Sequence, residues 1–382
     1  MKRISRILST LVLAALMMST VAAPTYAAGP EGFKPSQIRR AYGISRLAYD
    51  GAGQTIAIIG AFDYPNATAD LAVFNKTFGL ASMNGLPDTQ PCTVAAGPYP
   101  CFEAVKVESA NQDAPLFWSG DSTWAKEMSA NIQWAHAMAP GANILLMKAN
   151  TNQLPDLVKA VDQAVDSGAS VVSMSWGFVE EAGHVDWNSH FTKPGVLFVA
   201  AAGNNGTDLM FPAASPNVLA VGGTYLNMKF DGTYKSETVY NNGVGGSVGG
   251  LSKFQPAPAW HQEMGFASRS VPDLAWGAGF AGYAVYTDGK WRSFGGTSTA
   301  APQVAAMIAL VNQAKGSAFT DIGKIYEAGR TNQAKYFNDV TVGVGACQTA
   351  ACAATAGYDI ATGWGSPKAD ALVPFLAGLP TP

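Results

Sequence analysis

Apolar residues follow two alternating patterns along this chain. Short runs of continuously apolar residues are separated by segments in which apolar residues recur with the helical period. The runs predict buried strands, and the periodic segments predict helices that cover a sheet. The predicted strands are 54–61, 142–148, 169–176, 196–202 and 217–223, and the predicted helices between them are 67–78, 122–138, 154–166 and 185–191.

Strands that are apolar along their whole length and alternate with helices are typical of a parallel sheet with helices on both faces. We therefore predict an α/β fold with a mostly parallel, twisted sheet, in one large domain that spans residues 29–382. Functional residues in such sheets lie at the carboxyl ends of the strands. The glycine-rich run 241–250 is predicted to be a loop, because it lacks the lysine of a phosphate-binding P-loop.

The first 28 residues have the pattern of an export signal. Three basic residues within the first six positions precede the apolar run 7–18, and small residues end the segment at Ala27 and Ala28. This pattern predicts a secretory signal peptide, residues 1–28, and a secreted protein, either extracellular or periplasmic. No later run is long enough to cross a bilayer, so we expect no membrane partner.

Composition narrows the remaining possibilities. Charged residues make up 13% of the chain and the net charge is −3, which argues against a nucleic-acid partner. The four cysteines form two close pairs, Cys92 with Cys101 and Cys347 with Cys352. Three disulfide pairings are open, and the local one closes the shortest loops and fits an oxidising compartment. We expect the protein to be a monomer.

The segment GGTSTAAP, Gly295 to Pro302, leads into a long apolar helix and places Ser298 where that helix begins. A serine at a helix N-terminus faces unpaired backbone N–H groups, which stabilise negative charge on a nearby oxygen. We interpret Ser298 as the N-cap and Pro302 as a first-turn residue, where a missing N–H does least harm. A plain N-capped core helix is the alternative.

Two histidine-based enzyme classes are inconsistent with this chain. The α/β-hydrolases carry their catalytic histidine after the serine, whereas all four histidines here precede Ser298. An ordinary subtilisin needs a histidine in a His-Gly-Thr segment on a helix, and the sequence has no such segment. A nucleophilic Ser298 therefore needs a base of another type.

The segment 121–146, together with GGTSTAAP, resembles the sedolisins, the serine-carboxyl peptidases of the subtilisin clan. In that family a Glu and an Asp four residues apart on a helix replace the histidine. The resemblance implies a subtilisin-like fold, Ser298 as nucleophile and Glu127 as base. Asn131, on the same helix face as Glu127, stands at the Asp position and would orient the base. His136 lies on the opposite face, and we interpret it as a packed or surface histidine.

Two further segments carry the same resemblance. AAAGNNG, 200–206, resembles the oxyanion-hole turn, with Asn204 where sedolisins have Asp and subtilisins have Asn. The Asn204 amide and the Ser298 backbone N–H would bind the tetrahedral oxyanion. SMSWG, 173–177, resembles the strand along which these peptidases lay an extended substrate. A core position for Trp176 is an equal alternative. The implied substrate-binding residues are Ser175, Trp176 and Gly177.

The segments 337–343 and 355–367 resemble the calcium site of the sedolisins, so the resemblance implies Ca²⁺ as a cofactor. Calcium takes six or more oxygen ligands, which two carboxylates, backbone carbonyls and water supply. Two unrelated loop aspartates are the alternative. The implied ligands are Asp339, Val340, Thr355, Gly357 and Asp359, with Thr355 in place of the family's usual first glycine.

The resemblance covers roughly residues 33–375 and implies a secreted serine-type endopeptidase with protein or peptide substrates. The chain leaves no room for the family's long propeptide, so we expect a short form. Asn131 in place of Asp supports a second hypothesis, a secreted pseudopeptidase or binding protein of the same fold with impaired catalysis. An esterase that uses the same site is a third. Because Asn131 carries no charge, we expect Glu127 to keep an ordinary pKa of about 4.3.

Overall fold

The computed structural model describes residues 29–111, 122–279, 282–345 and 352–381. The predicted signal peptide, 1–28, and Cys347 lie outside these residues. The α-helices are α1 Pro35–Ala41, α2 Ala67–Phe78, α3 Ser122–Met138, α4 Leu154–Asp166, α5 Ala259–Gln262, α6 Thr297–Lys315, α7 Ile322–Tyr336 and α8 Ala369–Leu376, and the 3-10 helices are Ile44–Arg46 and Ala182–Phe191.

An eight-stranded sheet forms the centre of the molecule. The strands along the chain are β1 Thr55–Ala61, β2 Phe102–Val107, β3 Asn143–Ala149, β4 Val171–Met174, β5 Phe178–Val179, β6 Leu197–Ala201, β7 Met210–Phe211, β8 Val218–Met228, β9 Tyr234–Val239, β10 Gly250–Pro256, β11 Ser268–Val271, β12 Leu274–Gly277, β13 Tyr283–Thr287, β14 Lys290–Phe294, β15 Phe337–Asn338 and β16 Ser366–Pro367. Seven strands pair in parallel in the order β12-β8-β6-β4-β1-β3-β2, and β9 pairs antiparallel with β8.

Each face of the sheet is covered by its own apolar core, because neighbouring strand residues point to opposite faces. Ile56 and Ile58 of β1 belong to the core that includes α3 and α6, whereas Ala57 and Ile59 belong to the core that includes α4. Helix α6 contacts the sheet, α3 and α8, so residues on all its sides are buried. This arrangement explains its apolar sequence and holds the start of α6 rigidly above the sheet.

The predicted fold class is confirmed by this architecture. The five predicted strands appear as β1, β3, β4, β6 and β8, and three predicted helices appear as α2, α3 and α4. The segment 185–191 forms part of a 3-10 helix. A disulfide joins Cys92 to Cys101 as predicted, and Cys352 is also disulfide-bonded. In the part of the chain that the structure describes, no helix is both long and apolar enough to cross a membrane.

Candidate active site

The N-terminus of α6 places Ser298 differently from the sequence prediction. Gly296 is the N-cap, with φ +108°, and Ser298 is the second residue of α6 and 7% exposed. A β-carbon at position 296 would lie 3.0 Å from the Asn204 Nδ2 atom, so the turn needs glycine for both conformation and space. The Ser298 backbone N–H makes no hydrogen bond with another described residue. It is therefore free to bind an oxyanion.

Pro302 is the sixth residue of α6 and not part of its first turn, which corrects the second half of the prediction. A proline at this position cannot donate to the Ser298 carbonyl oxygen, four residues earlier. The Ser175 hydroxyl, from the segment after β4, lies 2.9 Å from that oxygen and 2.5 Å from Asn131 Oδ1, so its one proton is shared between these two acceptors. A tertiary contact thus replaces a missing helical hydrogen bond at the candidate nucleophile.

Glu127 and Asn131 share one face of α3, as predicted, and are hydrogen-bonded. The Asn131 Nδ2 atom lies 2.7 Å from Glu127 Oε1 and 2.6 Å from the Glu127 carbonyl oxygen. Its Oδ1 atom accepts a 2.5 Å hydrogen bond from Ser175. The Ser298 hydroxyl also acts on Glu127, since it lowers the pKa of that carboxyl. Hydrogen bonds therefore join Glu127, Asn131 and Ser175, and Ser298 stands beside Glu127.

Burial gives Glu127 a proton affinity suited to a base at neutral pH. Burial raises the pKa of Glu127 to about 7, although the hydrogen bonds from Asn131 and Ser298 act in the opposite direction. The sequence-based expectation of an ordinary pKa is wrong, because it considered only the charge of the neighbour on the same helix. His136 is fully buried, and its Nε2 atom lies 3.0 Å from the Ala81 carbonyl oxygen, so it packs away from this site.

The Asn204 side chain is oriented by the start of α6. Its Oδ1 atom accepts hydrogen bonds from the Thr297 backbone N–H at 2.8 Å and from the Thr297 hydroxyl at 3.1 Å. The Thr297 hydroxyl also lies 3.2 Å from the Gly203 nitrogen. Because the carbonyl end of the amide is held, its Nδ2 donor is directed elsewhere, and it makes no hydrogen bond with other described residues. Asn204 Nδ2 and the Ser298 N–H are therefore both without an acceptor among the residues that the structure describes.

A pocket of about 140 Å³ lies between these groups. Asn204 and Ser298 form one side of it, and the segment 175–177 forms another. Trp176 is 8% exposed, and its indole Nε1 atom is buried without a hydrogen-bond partner among the described residues. The residues that line the pocket are Ser175, Trp176, Gly177, Ala201, Gly203, Asn204, Met210, Thr297 and Ser298. The three residues implied for substrate binding are thus adjacent to the candidate nucleophile.

A family comparison accounts for this combination of groups. Residues 122–334, more than half of the chain, match the model of the subtilase family. The chain belongs to the subtilase family. The matched stretch includes the segments that carry Glu127, Asn131, Asn204 and Ser298.

The resemblance of this subtilase to sedolisins is also confirmed. Kumamolisin from Bacillus sp. (strain MN-32) is 32% identical over 382 residues, which cover 90% of this chain and 64% of kumamolisin. Sedolisin from Pseudomonas sp. (strain 101) is 25% identical over 378 residues, which cover 90% of this chain and 61% of sedolisin. The chain therefore spans less than two thirds of the length of these two relatives.

A solved structure shows the same fold. The structure of Pseudomonas sedolisin, a serine-carboxyl proteinase complexed with two molecules of pseudo-iodotyrostatin, matches with a TM-score of 0.78 and 25% identity. The match covers 92% of this subtilase and 99% of that chain. The subtilisin-like architecture that the sequence predicted is therefore present over nearly the whole described length.

Two supporting elements of the site were not predicted from the sequence. In this subtilase the glycine-rich loop 241–250 braces the turn at Asn204: the Gly246 N–H donates to the Asn204 carbonyl oxygen at 2.9 Å, and the Val248 N–H donates to the Gly203 carbonyl oxygen at 3.1 Å. Thr297, which holds the Asn204 amide, was also missed. Its position directly before the serine at a helix start is the local signal that could have identified it.

The candidate calcium ligands lie on two loops that contact each other. Asp339 Oδ2 accepts a 3.0 Å hydrogen bond from the Gly357 N–H, and Asp359 Oδ2 accepts one of 2.8 Å from the Thr355 N–H. Asp359 is 7% exposed, and burial raises its pKa although several hydrogen bonds from the loop backbone oppose that shift. The predicted aspartates are therefore neighbours in the fold, joined through the backbone of residues 355–359.

Proposed function

We propose that this subtilase is a secreted serine-type endopeptidase that hydrolyses peptide bonds in protein or peptide substrates. The observation that carries the proposal is the cluster of Ser298, Glu127 and Asn131, in which Asn131 donates to the Glu127 carboxylate and the Ser298 hydroxyl lowers the pKa of that carboxyl. The Ser298 N–H and Asn204 Nδ2, which donate to no other described residue, stand beside it. These parts match the requirements of acyl transfer: a nucleophile next to a base, an orienting group and an oxyanion hole. The export-signal pattern of residues 1–28 supports secretion.

Each proposed catalytic group has one role in the reaction. The Ser298 hydroxyl attacks the carbonyl carbon of the scissile bond while the Glu127 carboxylate takes its proton. Asn204 Nδ2 and the Ser298 N–H stabilise the resulting oxyanion. Glu127 then protonates the leaving amine, and a water molecule, activated by Glu127 in the same way, hydrolyses the acyl-enzyme. Asn131 holds the carboxylate in position through its 2.7 Å hydrogen bond.

The substrate is proposed to bind as an extended strand beside residues 175–177, with a side chain in the 140 Å³ pocket. Support comes from the position of that segment, which follows β4 at the carboxyl edge of the sheet, and from the pocket that it shares with Ser298.

A pseudopeptidase of the same fold is the second candidate, and Asn131 is the observation that favours it. Its amide donates to Glu127 and stabilises the ionised carboxylate, which weakens the base. Labelling of Ser298 by a fluorophosphonate separates the two candidates, because only an activated serine reacts quickly. Hydrolysis of small esters without hydrolysis of peptides would instead support an esterase.

The decisive experiment compares the purified mature protein with a Ser298→Ala variant. Both are incubated with a denatured protein from about pH 4 to about pH 9, and the products are mapped by mass spectrometry. We expect internal cuts by the wild type and a loss of at least about 10⁴-fold in rate for the variant, with an unchanged melting temperature. Release of only tripeptides from the N-terminus would exclude an endopeptidase, and equal cutting by both proteins would exclude Ser298 as the nucleophile.

We further propose that the loops 337–343 and 355–367 bind calcium, which would stabilise the fold without taking part in the chemistry. The donor set fits a hard cation, because it consists of two carboxylates and backbone carbonyls. Within the described residues, the carbonyl oxygens of Val340, Thr355 and Gly357 accept no backbone hydrogen bond. Free carbonyls beside Asp339 and Asp359 are the feature expected of a site that an ion completes.

Calcium should therefore raise the melting temperature of the wild type. A ligand that binds only the folded state at a hundredfold excess over its Kd adds about 2.7 kcal/mol to the free energy of unfolding. Asp339→Asn keeps the size of the side chain, which is exposed, and should remove most of this effect. Differential scanning fluorimetry with calcium and with chelator measures it, with magnesium as the control ion. A melting temperature that calcium leaves unchanged in both proteins would exclude the site.

A further inference from the structure

A second groove, separate from the Ser298 pocket, adjoins the catalytic helix α3. It has a volume of about 360 Å³, and it lies between α3 and the β13–β14 hairpin. It shares no lining residue with the Ser298 pocket. The residues that line it are Lys126, Val285, Thr287, Trp291, Arg292, Ser293 and Phe294.

Both walls of this groove contain residues that are close in sequence to the proposed catalytic groups. Lys126 immediately precedes Glu127 on α3, and Phe294 ends the strand that continues through two glycines into the nucleophile helix. Glu127 in turn stands beside Ser298, which lines the other pocket. Each wall of the groove is therefore joined by a short stretch of chain to a proposed catalytic group.

The charge of the groove is entirely positive. Lys126 and Arg292 line it, and no Asp or Glu is among its lining residues. Neither cationic side chain forms an ion pair or hydrogen bond with any residue in the described ranges. Trp291 and Phe294 add apolar surface to the groove. A carboxylate is the complementary group, and a guanidinium can bind it through two hydrogen bonds.

The proposed mechanism relates this groove to the part of the substrate that follows the scissile bond. The residue before the scissile bond occupies the Ser298 pocket, whereas the base must reach the nitrogen of the leaving segment to protonate it. The leaving segment must therefore pass Glu127, and Lys126, the residue before Glu127 on α3, lines the groove. We infer that this groove binds a carboxylate on the leaving segment of the peptide, within the first few residues after the scissile bond, and so gives the enzyme a preference for acidic sequences there. The inference rests on the proposed peptidase function.

Quenched fluorescent peptides with one cleavable bond test the preference. In three sets of peptides, one of the three residues after the bond is Glu, Gln or Lys, and each of the three positions is tested in turn. All of these peptides have an amidated C-terminus. A fourth set ends in a free carboxylate, which distinguishes an acidic side chain from a chain terminus. We expect kcat/KM to be about three- to tenfold higher for Glu than for Lys at one of these positions, and the ratio to fall as salt is added.

Charge reversal assigns the effect to the groove. Arg292→Glu and Lys126→Glu should each reduce the Glu-to-Lys ratio, and the double variant should invert it. Lys229→Glu makes the same charge change on an exposed lysine in the β8–β9 hairpin, outside the groove, and should leave the ratio unchanged. Melting temperatures confirm that each variant is folded.

Binding to Ser298→Ala, measured by fluorescence anisotropy, provides a readout that does not need hydrolysis. Tighter binding of Glu peptides that is lost in Ser298→Ala/Arg292→Glu supports the groove even if the wild type cuts no peptide, in which case the peptidase proposal fails and the carboxylate site stands. Equal cleavage and equal binding of Glu, Gln and Lys peptides would overturn the inference. A preference that persists in the double variant would also overturn it.

Discussion

Two carboxylates of this subtilase, the fully buried Asp273 and the part-buried Glu127, have opposite surroundings. Asp273 is fully buried, and Arg269 holds both of its oxygens at 2.5 and 2.7 Å, with further hydrogen bonds from the Tyr326 hydroxyl and the Ala220 N–H. Glu127 accepts hydrogen bonds from Asn131, and the Ser298 hydroxyl also lowers its pKa. No cation forms an ion pair with it among the described residues.

The difference separates a carboxylate that holds the fold from one that can do chemistry. Burial alone would lower the pKa of Arg269, but the charge and hydrogen bonds of Asp273 raise it, so Arg269 keeps its positive charge. Glu127 lacks such a partner, and burial raises its pKa to about 7. A carboxylate whose pKa lies near neutral pH is suited to accept a proton from Ser298.

The largest effect is expected at the unpaired carboxylate. Glu127→Gln keeps the shape of the side chain but removes the base, so kcat for peptide hydrolysis should fall by about 10³-fold or more. The melting temperature should not fall, since no ion pair is lost. Steady-state kinetics and calorimetry measure both quantities, with Glu327→Gln on the exposed side of α7 as the control. Full activity of Glu127→Gln would contradict its role as base.

At the paired carboxylate, Asp273, loss of the partner should reduce stability. Arg269→Met leaves Asp273 buried without a counter-charge and should lower the free energy of unfolding by about 3–5 kcal/mol. Arg330→Met is the control, because it breaks a partly exposed pair, with 2.8 Å between Arg330 and Glu263, and should cost less than about 1 kcal/mol. Denaturant titration measures the loss. Equal stability of the two variants would show that the buried Asp273 depends on its arginine no more than the exposed Glu263 does.

The pH dependence separates the two carboxylates without a change of fold. Since the pKa of Glu127 is about 7 in the folded protein, kcat/KM should rise with pH through about 7 as the base ionises. The folded state also binds more protons than the unfolded state between the ordinary value of 4.5 and about 7. Stability should therefore fall by about 1–3 kcal/mol as pH rises through this window, and less in Glu127→Gln.

Activity measurements and denaturant titrations from about pH 4 to about pH 9 test both parts of this prediction. A rate that is already maximal at a pH near the ordinary pKa of a glutamate would show that burial does not raise the pKa of Glu127. The same result would restore the simpler expectation that follows from the sequence.

The smallest change is expected from Asn131→Asp, which converts the site to the Glu–Asp pair of the sedolisins. Two carboxylates at this distance share one proton, so the pair titrates in two steps that are pushed apart. The rising pH profile should become bell-shaped, with a maximum on the acid side that differs from the wild type by a few-fold. An unchanged profile would mean that Asn131 does not orient or tune Glu127.

Local sequence patterns were sufficient for the elements and for the identity of the candidate residues. The apolar runs predicted the parallel strands, and the four-residue spacing placed Glu127 and Asn131 on one helix face, because strand and helix periods are properties of neighbouring residues. The helix start was misplaced at Ser298, because the glycine that serves as N-cap is recognised only by its positive φ and its contact with Asn204.

The energetics of the site were decided by residues that are distant in sequence. Ser175 lies 123 positions from Ser298, yet its hydroxyl replaces the hydrogen bond that Pro302 cannot make. Thr297 holds the amide of Asn204, 93 positions away. The pKa of Glu127 depends on desolvation by the whole fold, which one helix face cannot reveal. Sequence determined which groups are present and which share a face, whereas packing decided their solvation, their partners and therefore their chemistry.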